Sequence, residues 1–154
     1  MAIIEVSNLS KQYSSKKAVN NISFSVKKGE IFGILGPNGA GKTTTLEMIE
    51  ALRPIDSGTV IVDGINVATH PADVKEIIGI QLQSTAFFDK LTLREQIAMF
   101  DSLYGTDADA DELLASVQLT EKSNSYVEQL SGGQKQRFAI AAALVNTPRV
   151  LFLD

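Results

Sequence analysis

Apolar and polar residues alternate with a period close to two in three stretches of the chain. These are MAIIEVSNLS at the start, NNISFSVKKG from residue 20 and SGTVIVDGINV from residue 57. Alternation of this kind predicts half-buried β-strands. The pair Asp63-Gly64 interrupts the third stretch and predicts a tight hairpin turn between two short strands.

Two other stretches are apolar without alternation. EIFGILG, residues 30–36, and VLFLD, residues 150–154, are short apolar runs that end in a glycine and in an aspartate. Such runs suit strands that are buried on both faces of a parallel sheet. Between them lie stretches with helical patterning, and this alternation of strands and helices predicts a parallel sheet with helical crossovers.

Four segments carry the start and stop signals of helices. KTTTLEMIEALRP is limited by Pro54, and LTLREQIAMFDSLYG opens with the capping box of Thr92 and Glu95 and is followed by Gly105. DADADELLASVQL has acidic residues in its first turn, and SGGQKQRFAIAAALVN is limited near Pro148. The sequence therefore predicts an α/β protein with a mostly parallel sheet, an antiparallel N-terminal β part and a helical insertion. We expect boundaries at 1–84, 85–129 and 130–154 within one domain.

The amino-acid composition excludes some functions for these residues. The 154 residues carry a formal net charge of −4 and contain no cysteine. Proteins that bind nucleic acid usually have a basic surface, so the acidic net charge of this chain argues against direct binding of nucleic acid. The lack of cysteine rules out disulfides and thiolate metal sites within these residues.

The stretch GPNGAGKTT, residues 36–44, satisfies the phosphate-loop pattern G-x-x-x-x-G-K-[ST]. Its glycines allow backbone N–H groups to turn toward an anion, and the helix that follows adds its positive N-terminal end. The Lys42 ammonium suits the β- and γ-phosphates of a nucleotide, and the Thr43 hydroxyl suits Mg²⁺. The alternative is a glycine-rich turn with no ligand, and the apolar strand predicted before the motif and the helix predicted after it favour the phosphate loop. The candidate loop residues are Gly36, Pro37, Asn38, Gly39, Ala40, Gly41, Lys42, Thr43 and Thr44.

A second motif, LSGGQKQR, spans residues 130–137. Ser131 and Gln134 form a capping box for the next helix, which is a sufficient structural reason for both. That reason does not cover Gly132 and Gly133, because glycine in a helix costs stability. An anion that approaches the helix N-terminus closely would explain them.

Together, GPNGAGKTT and LSGGQKQR resemble the ATP-binding subunit of an ABC transporter, and the resemblance runs along the whole chain. It implies ATP and Mg²⁺ as cofactors. It implies that Tyr13 stacks on adenine, with Val19 packing nearby, although Tyr13 also suits a half-buried strand aromatic. It further implies that Gln83 reaches Mg²⁺ and the attacking water, with Gln81 as the competing assignment, and that Asp154 holds Mg²⁺ at the end of the Walker B strand.

The resemblance also implies partners. Ser131, Gly132, Gly133 and Gln134 would face the γ-phosphate bound by a second nucleotide-binding domain, and a transmembrane permease subunit would anchor the pair at the inner face of the membrane. The stretch KTTTLEMIEALRPIDSGTV is similar to bacterial drug or lipid exporters.

The family's water-activating glutamate follows the Walker B aspartate, and these 154 residues do not contain it. We therefore expect a truncated domain that hydrolyses ATP poorly and has an incomplete C-terminal core. The alternatives are a nucleotide-binding regulatory module without catalysis and an ABC ATPase that acts outside transport.

Overall fold

The N-terminal strands form an antiparallel sheet. In the computed structural model, which describes residues 1–81 and 87–153, strand β1 (Ala2–Tyr13) pairs with β2 (Lys16–Lys27). Strand β1 also pairs with β3 (Ser57–Val62), and β3 pairs with β4 (Ile65–Asn66), so that the order is β2-β1-β3-β4. The antiparallel N-terminal part predicted from the alternating pattern is confirmed.

The turn between β3 and β4 is the hairpin that the sequence predicts. Asp63 has φ 46° and Gly64 has φ 82°. Positive φ at both central residues gives the type I′ twist, which matches the twist of paired strands. Aspartate and glycine are the residues that tolerate this conformation best.

Helix α1 (Lys42–Ile49) follows the glycine-rich loop and contacts β2 and β3. It buries Thr45, Met48 and Ile49, which lie on one side of the helix. The helix ends at Ile49 rather than near Pro54, because Ala51 turns to a left-handed φ of 56°. The N–H groups of Leu52 and Arg53 then both donate to the carbonyl of Glu47, which closes the helix end.

The prediction of a buried strand at Glu30–Gly36 is wrong. The segment has no regular secondary structure, Ile31 is fully exposed and Leu35 is 94% exposed. An apolar run forms a strand only where neighbouring strands supply backbone partners. Within residues 1–81 and 87–153, no strand pairs with this segment, and its main ring contact is the stack of Phe32 on Phe24 at 5.2 Å.

Within the described part of the chain, two strands form the parallel part of the fold. Strand β5 (Ile78–Gln81) follows helix α2 (Pro71–Ile77) and pairs in parallel with β6 (Val150–Leu153). The register runs from Ile78 opposite Val150 to Gln81 opposite Leu153. VLFLD is therefore a strand in a parallel pair up to Leu153, as the apolar run predicts. The expected burial on both faces is only partial, because Phe152 is buried but Leu153 is 56% exposed. Helix α2 was missed, although Pro71 at its first position is a recognised start signal.

The remaining helices pack around a separate apolar core. These are α3 (Leu93–Tyr104), α4 (Ala110–Ser116) and α5 (Gly132–Ala143), with two 3₁₀ turns at Thr120–Lys122 and Val127–Gln129. Phe138 of α5 is fully buried, and its ring lies 4.8 Å from that of Phe87. Burial of each large side chain contributes about 1.5–3 kcal/mol, so this cluster holds the three helices together. The core consists of Leu93, Ile97, Leu114, Leu119, Val127, Leu130, Phe138, Ala141 and Val145.

The chain divides into two compact units, Met1–Lys75 and Glu76–Asp154. The first contains the antiparallel sheet and α1, and the second contains the parallel strands and the helices α3, α4 and α5. The three-part boundaries given above stay a prediction. Within the described ranges, none of the helices has the length and apolar content needed to cross a membrane.

Candidate nucleotide-binding site

The glycine-rich loop turns on two left-handed glycines. Gly39 has φ 80° and Gly41 has φ 87°, and the Ala40 N–H donates to the Pro37 carbonyl at 3.2 Å. Helix α1 starts directly after Gly41, which caps it without a side-chain hydrogen bond. The first N–H groups of a helix have no partner within the helix. They are therefore free to bind an anion at this loop.

Gly41 also lies against strand β2. A Cβ atom at this position would come within 2.2 Å of the Ala18 carbonyl oxygen and 3.3 Å of Val19 Cγ2. Val19 is 5% exposed and supports the loop from this side. Val19 therefore lies against the phosphate loop.

Lys42 lies at the rim of the loop. Its ammonium donates to the carbonyls of Gly36 at 2.9 Å and Pro37 at 3.0 Å. A flexible side chain held by two exposed carbonyls can reach an anion in the same loop at little cost. Pro37, Asn38, Gly39 and Ala40 are exposed, so the loop is accessible from outside the unit.

Thr43 and Thr44, which follow Lys42, are more accessible to solvent than Thr45. Thr43 is exposed and Thr44 is half-buried. Thr45 is buried, and its hydroxyl donates to the Gly41 carbonyl at 2.8 Å, which holds the loop to the first turn of α1. The sequence pattern ends before Thr45, so this contact was missed. The donor set of loop N–H groups, an ammonium and an exposed hydroxyl fits a nucleotide phosphate with Mg²⁺.

Tyr13 lies at the end of β1 in the same unit and is 40% exposed. Lys11 Nζ lies 5.7 Å and Arg53 Cζ 5.6 Å from the centroid of its ring. The ring is therefore flanked by cations yet keeps accessible surface. Sequence reasoning found Tyr13 but not its two cationic neighbours, because no periodic pattern marks the polar turn that carries Arg53.

The second motif forms the start of α5. Ser131 Oγ accepts from the Gln134 N–H at 3.3 Å, and Gln134 Oε1 accepts from the Ser131 N–H at 2.8 Å. The capping box predicted from the sequence is confirmed. Gly132 and Gly133 are exposed, and a Cβ atom at either would meet nothing within 4 Å. Packing inside this chain therefore gives no reason for glycine at either position.

The carboxyl ends of β5 and β6 lie side by side. Gln81 pairs with Leu153, and in sequence these residues come shortly before Gln83 and directly before Asp154. Gln81 is buried in β5. Ligand sites in parallel sheets form at such carboxyl ends. Gln83 and Asp154 themselves lie outside the described residues, so their predicted roles remain predictions.

A phosphate loop at an open helix N-terminus, in a unit that also contains an antiparallel sheet, is typical of a nucleotide-binding domain of the P-loop class. The family model described as ABC transporter matches residues 19–154. The chain belongs to this family.

Several relatives are ATP-binding proteins of bacteria. The chain is 43% identical to the linearmycin resistance ATP-binding protein LnrL of Bacillus subtilis, over 99% of this chain and 50% of that protein. It is 41% identical to the Nod factor export ATP-binding protein I of Burkholderia orbicola, over 100% of this chain and 52% of that protein. It is also 41% identical to the spermidine/putrescine import ATP-binding protein PotA of Chromobacterium violaceum, over 100% of this chain and 44% of that protein.

Solved structures agree with the fold. The structure of an ATP-binding subunit of an ABC transporter superposes with a TM-score of 0.83 at 26% identity, over 97% of this chain and 64% of that chain. This likeness confirms the α/β fold with an antiparallel N-terminal sheet, a parallel sheet and helices. The chain spans about half the length of the relatives it matches.

Proposed function

We propose that this chain is the nucleotide-binding part of an ABC transporter's ATP-binding subunit and binds ATP with Mg²⁺ at residues 36–44. The observation that carries the proposal is the loop geometry. Gly39 and Gly41 turn the loop at the open start of α1, and Lys42 lies at its rim. An anionic triphosphate is the ligand that this combination of dipole, N–H groups and ammonium fits.

The proposal gives separate roles to Lys42, Thr43 and Tyr13. Lys42 exchanges its two carbonyl partners for the β- and γ-phosphates, and the exposed Thr43 hydroxyl ligates Mg²⁺ together with Gln83 and Asp154. Bound Mg²⁺ would neutralise charge on the phosphates. Tyr13 offers its accessible ring to adenine, since an aromatic face suits a purine.

A second nucleotide-binding domain completes the site. Ser131, Gly132, Gly133 and Gln134 would face the γ-phosphate held by that partner. The support is the start of α5, where two glycines leave the helix N-terminus exposed and open. A negative group at a helix N-terminus is stabilising, so a shared triphosphate would draw the two surfaces together.

ATP hydrolysis belongs to the assembled protein in this proposal, with Lys42, Gln83 and Asp154 as catalytic residues. The 154-residue chain by itself would turn over ATP slowly. Its signature acts on a partner's nucleotide, so a single copy does not complete its own site.

The partner in the membrane is a separate permease subunit, which places this subunit at the inner face of the membrane. The name of one relative, a Nod factor export protein, supports the narrower proposal of an exporter. The similarity to a spermidine/putrescine import protein supports the opposite direction of transport.

Calorimetric titration of the chain with Mg-ATP tests the core of the proposal. Lys42→Ala removes the ammonium, and charge-assisted hydrogen bonds of about 1.5–3 kcal/mol imply a loss of affinity of roughly 10- to 150-fold. Lys28→Ala, at an exposed lysine of the same unit, is the matched control and should bind as the parent does. Equal affinity of the Lys42→Ala variant and the parent chain would overturn the assignment of the phosphate loop.

A further inference from the structure

Tyr13 is held by a set of charged side chains that the phosphate-loop and signature motifs do not include. Lys11 and Arg53 both lie over its ring, with Lys11 Nζ at 5.7 Å and Arg53 Cζ at 5.6 Å from the centroid. Both distances lie within the range in which a cation is attracted to an aromatic face.

Glu47 holds Arg53 in two ways. Its Oε2 accepts from Arg53 Nε at 2.5 Å, and its backbone carbonyl accepts from the Arg53 N–H at 3.0 Å. Glu47 belongs to α1, the helix that starts at Lys42. Tyr13 is therefore connected through Arg53 and Glu47 to the same helix whose N-terminus forms the phosphate loop.

A second ion pair attaches the loop of residues 53–56 to β1. Lys11 Nζ donates to Asp56 Oδ1 at 2.5 Å and to the Pro54 carbonyl at 2.8 Å, and Lys11 is only 7% exposed. Asp56 Oδ2 accepts from the Gln12 N–H at 2.8 Å. A buried ammonium is costly without partners, so these bonds keep the loop against the strand next to Tyr13.

We propose that Arg53, held by Glu47, is a positioning residue that sets the place of the Tyr13 ring relative to α1 and so contributes to recognition of the purine base. The proposal rests on the proposed nucleotide site. Arg53 acts on the base through Tyr13, and it does not act on the triphosphate, which is bound by the loop at residues 36–44.

The size of the effect follows from the exposure of the contact. An exposed cation–aromatic pair contributes an amount that corresponds to about a two- to fivefold change in a binding constant. Removal of Arg53 should therefore lower the binding affinity only slightly. The decrease should be confined to ligands that contain a base and should require the Tyr13 ring.

The test compares two ligands on the folded chain, Mg-ATP and Mg-tripolyphosphate, by calorimetric titration. Arg53→Met keeps much of the side chain's length and removes its charge, and we expect it to weaken Mg-ATP about two- to fivefold and leave Mg-tripolyphosphate unchanged. Glu47→Gln should weaken Mg-ATP in the same direction by a smaller factor. Arg94→Met is the matched control, because Arg94 is another exposed arginine paired with a carboxylate, that of Asp111, and it should change neither affinity.

A double-mutant cycle separates positioning from a general structural effect. In a Tyr13→Ala background, Arg53→Met should cause no further loss of Mg-ATP affinity. A full additional loss in that background, or an equal loss for both ligands, would overturn the proposal. If the parent chain binds neither ligand, the proposed function itself fails, whereas tripolyphosphate binding without any Arg53 effect on ATP overturns this inference alone.

Discussion

Replacement of Gly41 by alanine tests whether the shape of the phosphate loop depends on its contact with β2. The change has two costs. Alanine at φ 87° takes up a left-handed conformation, which costs about 1–2 kcal/mol for a residue with a Cβ atom. The new Cβ would also lie 2.2 Å from the carbonyl oxygen of Ala18, an approach that no side-chain rotation relieves.

Gly39 provides the matched control for this experiment. It has nearly the same φ, 80°, but a Cβ atom there would meet nothing within 4 Å. Gly39→Ala should therefore lose only the conformational part, about 1–2 kcal/mol. Overpacking typically costs a further 1–3 kcal/mol, so Gly41→Ala should lose about 2–5 kcal/mol in total.

The measurement is equilibrium unfolding in urea, followed by far-ultraviolet circular dichroism, with the slope compared as well as the midpoint. We expect a lower midpoint for Gly41→Ala than for Gly39→Ala, and both below that of the parent chain. A Gly41→Ala variant that is as stable as Gly39→Ala would refute the reasoning, because the loop would then move away from β2 without cost.

Three further predictions concern other parts of the chain. Gly132→Ala in α5 should raise the free energy of unfolding in urea by up to about 1 kcal/mol, because the added Cβ meets open space. The same variant should lower the ATPase activity of the assembled transporter. Unchanged activity would contradict the role proposed for the signature residues. Gln96→Leu should lower the free energy of unfolding by about 3 kcal/mol or more, because the buried amide makes three hydrogen bonds to backbone groups of residues 88 and 91. Gln136→Leu, at an exposed glutamine of α5, serves as the control. The hydrogen bond from the Lys11 side chain lowers the pKa of Asp56, and the hydrogen bond from the Gln12 N–H lowers it further. Asp56 therefore stabilises the folded state at pH values above the pKa of aspartate in the unfolded chain, about 3.9. The stability difference between the parent and Asp56→Asn should shrink as the pH falls below about 4, and a constant difference in unfolding at pH 6 and pH 3 would contradict the ion pair.

Local signals in the sequence were sufficient where the determinants lie within a few residues. The capping boxes at Thr92 and Ser131 form as predicted, because both of their hydrogen bonds join residues three positions apart. The Asp63-Gly64 turn also forms as predicted, since two residues decide its dihedral angles. The phosphate loop belongs to the same class, because its glycines and the following helix are contiguous in sequence.

Contacts between distant residues were decided by the tertiary structure. The sequence predicted a strand at Glu30–Gly36, but a strand needs a neighbour to supply hydrogen bonds, and the described residues provide none there. The arrangement around Tyr13 was likewise not readable from the sequence, because Lys11 meets Asp56 across a long stretch of chain.

The sequence by itself determined the motifs, the family and the residues of the phosphate loop and signature, because these depend on short spacing. Only the tertiary structure showed that Val19 packs on Gly41, that Arg53 lies over Tyr13, and that the ends of β5 and β6 lie together. These facts depend on packing and strand register, which are set by the whole unit rather than by any short segment.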